Sequence, residues 1–328
     1  MENGQEQNKP PRNMPFGGYK DVDGVLVNSF FSEENLRSAL TYRPKPGDIF
    51  VATYPKCGTT WMQYIVYCII NKGVPPRNHA EFMLRSPFLE LLGAEAAERM
   101  QKPGAIKTHL PFERLQTCAH VKYIYVARNP YDCCVSFYYH KNVAPNPECE
   151  EASFDYFLRM FLEGRVTFGH YFHNLVPWYE HRRDPNVLFL TFEDLKKDTA
   201  SCVLKVADFL GKEHGRALRG DDGLLRKVLE MTQVENMKKV LNQTSKSLFR
   251  DLLSLPPDKA LASAEAYRHL LKDEPETRRL RGDFIRKGVV GDYKSHFSAE
   301  QLRSMKDWIA ENTRGSDVMC LWKDLDLP

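Results

Sequence analysis

Short apolar segments alternate with longer helical patterns along most of the chain. Three segments are almost continuously apolar: DIFVAT (48–53), VKYIYVAR (121–128) and VLFLTF (187–192). Apolar runs of this length are typical of parallel strands that are buried on both faces. A polar turn and a helical pattern follow each run, at 59–71, 130–141 and 193–211. The sequence therefore predicts an α/β fold, a single domain whose mainly parallel central sheet is flanked by helices.

Two segments fall outside this alternation. Residues 1–15 are rich in Asn, Gln, Pro and charge, so we expect a disordered tail before a domain that spans 16–328. Residues 241–282 combine helical pieces with prolines, which is typical of a peripheral helical excursion or of a lid. The basic motif that follows this segment favours the second interpretation, a lid that covers a binding site.

Composition argues against several functional classes. A net charge of +3 in 328 residues is too mild for a nucleic-acid partner, but it allows a local basic pocket for a small anion. The polar N-terminus has no signal peptide, and the densest apolar segment, 61–70, is too short to span a bilayer. We therefore expect a cytoplasmic protein with no membrane partner. Eight cysteines without CxxC spacing indicate reduced, mostly buried thiols.

The turn after the first apolar run is a candidate anion-binding loop, which reads PKCGTT (55–60). A strand-to-helix turn directs unpaired backbone N–H groups to one point, where the helix dipole adds positive charge. Gly58 permits close approach, hydroxyl groups follow it, and Lys56 adds a full charge. The Walker pattern G-x-x-x-x-G-K-[ST] is not kept, because the lysine comes first. The alternative is an ordinary surface turn.

Two further segments repeat this chemistry. Arg128 ends the second apolar run, and Ser136 lies two turns along the helix that follows, so the pair can bind a phosphate. Asp132 could instead pair with Arg128. Residues 286–288 place two cations beside a glycine, which could also be a solvated basic turn. Three anion-binding candidates in one chain indicate a ligand with more than one phosphate group.

A candidate general base follows a short strand in the segment AIKTHLPF (105–112). His109 lies there on a loop near the strand ends, and Lys107 lies on the same side if the chain is extended. A histidine with a pKa near neutrality suits the deprotonation of an alcohol or a phenol. A lone histidine is nevertheless more often structural.

Four ordered motifs resemble those of the cytosolic sulfotransferases, which use 3′-phosphoadenosine 5′-phosphosulfate (PAPS). The motifs are TYPKCGTTW (53–61), KTHLP (107–111), YVARNPYDCCVSFYYH (125–140) and RKGVVGDY (286–293). The similarity extends from about residue 16 to residue 297. It implies a P-loop-like phosphosulfate loop, PAPS as the donor, 3′-phosphoadenosine 5′-phosphate (PAP) as the product, and no metal.

The resemblance also implies residue roles. The positions assigned to the donor nucleotide are Lys56, Cys57, Gly58, Thr59, Thr60, Trp61, Arg128, Ser136, Phe192, Thr232, Phe284, Ile285, Arg286, Lys287 and Gly288. The loop would hold the 5′-phosphosulfate, with Trp61 packed on the adenine. Arg128 and Ser136 would bind the 3′-phosphate together with 286–288.

The implied reaction is an in-line displacement. His109 would deprotonate the acceptor, Lys56 would stabilise the leaving oxygen, and Lys107 would position the sulfuryl oxygens. Ser136 would hold Lys56 away from the sulfate until an acceptor arrives. The acceptor would be a small-molecule hydroxyl compound, or an amine, such as a phenol, a catecholamine or a sterol. The pocket candidates, which could equally be ordinary core, are Phe30, Phe31, Phe88 and Tyr139.

The chain departs from the family pattern at several positions. Cys57 replaces a serine, and a thiol at a helix N-terminus beside Lys56 is expected to have a lowered pKa. Thiol reagents should then inhibit the enzyme, and bound nucleotide should protect it. Phe192 replaces a tyrosine, and Val234 replaces an aromatic residue that stacks on adenine. The dimer motif KxxxTVxxxE is absent, because 294–303 reads KSHFSAEQLR. We therefore leave the oligomeric state open.

Two other functions compete with sulfuryl transfer. In a P-loop kinase or NTPase, Glu193 and Asp194 after the third apolar run would hold Mg²⁺, but the GK[ST] sequence is missing. A catalytically silent nucleotide-binding protein would not need the combination of Lys56, His109 and Ser136.

Overall fold

The computed structural model describes residues 18–140, 153–242, 245–271 and 285–328. The expected tail at 1–15 lies outside the described residues, as do Phe284 and parts of the 241–282 segment (243–244 and 272–282).

A four-stranded parallel sheet forms the centre of the molecule. The strands are β1 (Tyr19–Val22), β2 (Val25–Asn28), β3 (Ile49–Ala52), β4 (Ile106–Thr108), β5 (Lys122–Ala127) and β6 (Val187–Thr191). The first two form an antiparallel hairpin, and the other four have the spatial order β4-β3-β5-β6. The predicted parallel sheet is confirmed. Strands β4 and β5 flank β3 on opposite sides, so the loop after β3 lies at a topological switch point, where α/β sheets bind ligands.

Helices connect these strands and cover the sheet. The α-helices are α1 (Glu33–Thr41), α2 (Thr59–Ile70), α3 (His79–Arg85), α4 (Leu89–Glu98), α5 (Pro130–His140), α6 (Phe154–Leu162), α7 (Tyr171–Glu180), α8 (Phe192–Lys197), α9 (Thr199–Leu210), α10 (Lys212–Gly220), α11 (Asp222–Met231), α12 (Val234–Leu241), α13 (Ser245–Leu253) and α14 (Ala299–Asn312). Short 3₁₀ helices cover Phe112–Arg114, Ala262–Leu271, Asp292–Ser295 and Val318–Trp322.

The predicted helix at 193–211 is divided in two. Asp198 has a non-helical backbone conformation, with φ −144° and ψ 80°, and its side chain accepts a hydrogen bond from the N–H of Ser201. An aspartate that caps the next helix competes with continuation of the first helix. Hydrophobic periodicity alone does not reveal this break, because α8 and α9 both bury apolar residues.

The sheet separates two hydrophobic cores. Phe50 and Ala52 of β3 enter the core that includes α1, α4, α5 and α7, whereas Ile49 and Val51 enter the core that includes α2 and α9. Strand β5 alternates in the same way. Side chains two residues apart face the same side of a strand, so a sheet with two apolar faces requires a helical layer on each.

The described part of the 241–282 segment packs against the first core. Phe249 of α13 stacks on Tyr267 with ring centroids 4.3 Å apart. The Tyr267 hydroxyl donates to the carbonyl oxygen of Leu91 at 2.9 Å, and the Asn35 side chain donates to the carbonyl oxygen of Ser263 at 2.9 Å. These residues tie the segment to α1 and α4. The lid interpretation stays a prediction.

Replacement of Val51 by alanine should destabilise the protein by about 2 kcal/mol, because two buried methyl groups are lost and a cavity remains. Val51 is fully buried, whereas Val74 is 54% exposed. The matched control Val74→Ala should change the free energy of unfolding by less than about 0.5 kcal/mol. Urea denaturation measures both values, and equal values would contradict the assignment of β3 to the sheet centre.

Candidate active site

One cavity of about 160 Å³, partly open to solvent, lies at the carboxyl ends of the parallel strands. The predicted site residues that line it are Lys56, Gly58, Thr59, Thr60, Trp61, Lys107, His109, Arg128, Ser136, Tyr139, Phe192, Ile285, Arg286, Lys287 and Gly288. They come from segments that are distant in sequence. The parallel sheet brings these segments together because its loops emerge at one edge.

The loop between β3 and α2 has an unusual backbone. Lys56 adopts φ +70°, in the left-handed region that non-glycine residues rarely occupy. Gly58 adopts φ +103° and begins α2. A Cβ atom at Gly58 would lie 3.0 Å from a carbon atom of the Phe192 ring. Glycine is therefore required here both for its backbone conformation and for the close approach of Phe192.

Positive charge is concentrated in the cavity. Burial, together with the nearby charges of Lys107, Arg128 and Arg286, lowers the pKa of Lys56 to about 7. Burial also lowers the pKa of Lys107 to about 8. Desolvation and mutual repulsion both oppose the charged forms, so an anionic ligand in this cavity would relieve an electrostatic penalty.

Arg128 links two of the predicted anion-binding segments. Its guanidinium donates to the carbonyl oxygens of Lys56 at 3.2 Å and Val289 at 2.9 Å, and it lies 4.3 Å from the centre of the Phe192 ring. Within the described ranges, the buried Arg128 Nε has no hydrogen-bond partner. A polar guanidinium edge without an acceptor fits a site that binds a phosphate.

Asp132 does not pair with Arg128, the alternative that the sequence left open. Its carboxylate accepts hydrogen bonds from the backbone N–H of Gly291 at 2.7 Å and of Tyr293 at 3.0 Å. Asp132 therefore fixes the basic segment 286–293 to the start of α5. In this structure the side chains of Arg286 and Lys287 both contact Asp292.

His109 is buried, and its orientation is fixed by a hydrogen bond. Its Nδ1 lies 2.8 Å from the carbonyl oxygen of Thr53, which can only accept, so the proton resides on Nδ1. Burial lowers the pKa of His109 well below its usual value, and the charges of Lys107 and Lys56 act in the same direction. The expectation of a pKa near neutrality is wrong. The imidazole is neutral at pH 7, which leaves Nε2 with a lone pair.

The aromatic acceptor candidates separate into two groups. Tyr139 lines the cavity, and its hydroxyl lies 2.9 Å from Nε2 of His296. Phe30, Phe31 and Phe88 do not line the cavity. Phe30 packs against the Tyr267 ring, with centroids 5.2 Å apart. Phe31 and Phe88 are buried side chains whose rings meet edge to face.

Phe88 nevertheless contacts Lys107 and His109, the two residues of the KTHLP motif with predicted catalytic roles. Its ring centre lies 3.8 Å from Nζ of Lys107 and 5.2 Å from the centre of the His109 ring. The ring centre of Phe168, a residue outside the predicted site, lies 5.1 Å from the centre of the His109 ring. Two aromatic side chains that do not line the cavity therefore border His109.

Two predicted donor-site residues do not reach the cavity. Cys57 is 1% exposed, and its Sγ lies 3.7 Å from Sγ of Cys133. Burial raises the pKa of the Cys57 thiol, and Cys133 raises it further, so the predicted low pKa is wrong and the basis for nucleotide-protected thiol modification is lost. Thr232 is also buried, and its carbonyl oxygen accepts a hydrogen bond from Nε1 of Trp61 at 3.0 Å.

Sequence reasoning missed Lys196 and Met237, which line the cavity. Lys196 Nζ lies 5.5 Å from the centre of the Trp61 ring. A signal for Lys196 existed, because it follows Phe192 by four residues and so lies on the same helical face. Met237 follows Val234 by three residues in the same manner. Neither residue belongs to any of the four motifs.

Of the two carboxylates proposed for a magnesium site, Glu193 has structural partners instead. Glu193 accepts hydrogen bonds from the backbone and side-chain N–H groups of Asn129 and from Nε1 of Trp322. Asp194 is exposed. Among the described residues, no group of three or more His, Cys, Asp or Glu side chains could hold a metal ion. None of the described helices is long and apolar enough to cross a membrane.

Comparison with known proteins identifies the family. The family described as "Sulfotransferase domain" matches residues 46–317. Human Sulfotransferase 1C2 is 30% identical over 312 residues, which cover 91% of this chain and 94% of the relative. Human Sulfotransferase 1E1 is 32% identical over 295 residues, which cover 85% and 88%.

A solved structure extends this likeness to three dimensions. Mouse sulfotransferase SULT7A1 complexed with PAP aligns with a TM-score of 0.66 and 28% identity, over 93% of this chain and 98% of that chain. This family assignment supports sulfuryl transfer over the kinase and the silent-protein alternatives. The chain belongs to the sulfotransferase family, and it is an enzyme that uses PAPS as its sulfuryl donor.

Proposed function

We propose that this enzyme transfers the sulfuryl group of PAPS to a hydroxyl group, or an amine, of a small aromatic or hydrophobic acceptor such as a phenol, a catecholamine or a sterol. His109 acts as the general base. The observation that carries this proposal is the convergence of Lys56, Lys107 and His109 on one cavity, with the proton of His109 placed on Nδ1.

The cavity residues fit the donor nucleotide. Bound PAPS supplies a sulfuryl group that is activated by its phosphate leaving group. The N-terminus of α2 and Lys56 hold the phosphosulfate end, because backbone N–H groups and a full charge meet there. Arg128, Ser136 and the basic segment 286–288 hold the 3′-phosphate, and the unpartnered Nε of Arg128 supports this assignment. Trp61 and Phe192 border the adenine.

His109 is poised to accept a proton. Its neutral ring donates from Nδ1 to Thr53, so Nε2 accepts the proton of the attacking hydroxyl group. Lys56 donates toward the oxygen on which negative charge grows as the leaving group departs, which stabilises the transition state. Ser136 lines the same cavity and controls the position of Lys56.

The acceptor binds beside His109. Tyr139 and His140 line the cavity, and the rings of Phe88 and Phe168 border the imidazole of His109. Aromatic walls favour flat apolar acceptors, since such pockets bury most of a ligand's surface. The Phe88 ring also contacts Nζ of Lys107, the group that positions the sulfuryl oxygens. Phe88 therefore connects the acceptor site with this group.

His109→Ala should reduce kcat by at least about 100-fold, because general base catalysis contributes factors of this size. PAP affinity should stay within about threefold of the native value, because the base contacts the acceptor and not the nucleotide. Turnover of ³⁵S-labelled PAPS and PAP quenching of tryptophan fluorescence measure the two quantities. The exposed His120 supplies the control His120→Ala, which should retain full activity. Unchanged turnover in His109→Ala would refute the base assignment.

PAP affinity should fall as the pH rises from 7 to 9. Lys56 has a pKa of about 7 in the free enzyme, so it loses its charge in this range, while the phosphates of PAP are already ionised. Anion binding raises the pKa of Lys56, so binding takes up protons. Titration calorimetry in buffers of different ionisation enthalpy measures that uptake.

Two variants separate Lys56 from the other cations. Lys56→Arg stays charged at every pH tested and should flatten the pH dependence of PAP affinity. Lys56→Met should weaken PAP binding at pH 7 and should also flatten the pH dependence of PAP affinity. An undiminished pH dependence in both variants would assign the proton uptake to another group.

A panel of 2-naphthol, dopamine and cholesterol should identify the acceptor class when each is incubated with ³⁵S-labelled PAPS and EDTA. We expect transfer to at least one of the three, because the acceptor region is aromatic and no step needs a chelatable metal. Removal of the Phe88 ring in Phe88→Ala should raise the acceptor KM more than the PAPS KM. Transfer to none of the three would refute the proposed acceptor class.

A further inference from the structure

Glu90 is a buried acidic residue next to the reacting groups, and none of the four motifs contains it. It lies in the first turn of α4, and its side chain is fully buried. Burial raises the pKa of the Glu90 carboxyl to about 7, although hydrogen bonds from His109 and Thr108 and the charge of Lys107 oppose this effect, so the side chain is mainly ionised only above pH 7. A carboxylate at this position therefore needs neighbouring groups that its negative charge can stabilise.

One oxygen of Glu90 holds the end of β4. Oε1 accepts hydrogen bonds from the backbone N–H of His109 at 2.5 Å and from the Thr108 hydroxyl at 3.0 Å. The Thr108 oxygen accepts in turn from the backbone N–H of Leu110 at 3.1 Å. The carboxylate thereby fixes three consecutive residues at the point where the chain leaves the sheet.

His109 is thus held at three places. Glu90 binds its backbone N–H, the Asn174 side chain donates to its carbonyl oxygen at 3.0 Å, and Thr53 binds its ring. Only Glu90 among these partners is ionisable. When Glu90 is ionised, its hydrogen bond to the His109 N–H is charge-assisted, which makes it shorter and stronger than a neutral one.

The same carboxylate acts on Lys107. The start of α4 and β4 are joined by a hydrogen bond from the Lys107 N–H to the carbonyl oxygen of Pro87 at 2.8 Å. Burial lowers the pKa of Lys107 to about 8, and the charge of Glu90 opposes this effect. Within the part of the chain that the structure describes, no group donates a hydrogen bond to Glu90 Oε2. The charge of Lys107 lowers the pKa of Glu90 and the charge of Glu90 raises the pKa of Lys107, so each group favours the charged form of the other.

The other titratable groups near Lys107 do not favour its charged form. They are His79, His109, His140 and Lys56. The histidines are buried with lowered pKa values, and Lys56 repels a second cation. Glu90 is the acidic group whose charge raises the pKa of Lys107.

We propose that Glu90 is a positioning residue for sulfuryl transfer, one that fixes the backbone of His109 and keeps Lys107 charged while the acceptor is deprotonated. The inference rests on the proposed roles of His109 and Lys107. Glu90 itself is not among the described residues that line the cavity.

Glu90→Gln tests this role, because glutamine keeps a carbonyl oxygen for His109 and Thr108 but removes the charge. We expect kcat to fall about tenfold or more, since small errors in the position of a reacting group are costly. The alkaline limb of the kcat profile should move to lower pH, because Lys107 then loses its proton more easily. PAP affinity should stay within about twofold. The acceptor is 2-naphthol, or whichever panel compound gives the highest turnover.

Glu98→Gln is the matched control on the same helix. Glu98 is exposed and pairs with Lys45 on the surface, so its replacement should leave kcat, the pH profile and the Tm unchanged. Glu90→Gln with native kcat and an unshifted alkaline limb would overturn the proposal. A fall in kcat that only follows the loss of folded, PAP-binding protein would overturn it as well, by showing a purely structural role.

Comparison with His109→Ala separates this inference from the proposed function. If His109→Ala abolishes turnover and Glu90→Gln does not, the base assignment stands and the role of Glu90 is wrong. If His109→Ala keeps its turnover, the proposed base fails, and with it the reason for Glu90 to position it.

Discussion

Buried positive charge at the carboxyl edge of a parallel sheet is the constraint on which the rest of the structure depends. Lys56, Lys107 and Arg128 reach one cavity, and burial together with mutual repulsion lowers the pKa of Lys56 to about 7. Such an arrangement is unfavourable without an anion. The free energy that burial costs the charges is recovered when an anionic nucleotide binds, which gives the cavity a strong preference for such ligands.

The sheet order makes this concentration possible. Strand β3 lies between β4 and β5, so the loops that follow these three strands emerge side by side. The first loop carries Lys56, the second carries His109, and the third carries Arg128. Both faces of β3 are buried in separate hydrophobic cores, which keeps these loop origins rigid. A rigid frame matters because transfer depends on the alignment of donor, base and acceptor.

The sequence alone predicted most of this frame and part of the site. Continuous apolar runs revealed the three strands, and local patterns revealed the loops with Lys56, Arg128 and Arg286. The direction of a side chain depends on tertiary packing, which local patterns do not report. The Cys57 thiol is buried beside Cys133, so its pKa is raised. Nothing in the sequence indicated that Asp132 would bind the backbone of the 286–293 segment.

The site must keep two adjacent buried bases in opposite protonation states. In the proposed mechanism, His109 has to be neutral in order to accept a proton, whereas Lys107 has to be charged in order to attract the sulfuryl oxygens. Burial alone would drive both toward neutrality, because it penalises every cation. Lys107 contributes to the lowered pKa of His109, and Glu90 supports the charge of Lys107. On our proposal, the ionised Glu90 carboxylate supports the charge of Lys107, and that charge adds to the effect of burial that keeps His109 neutral.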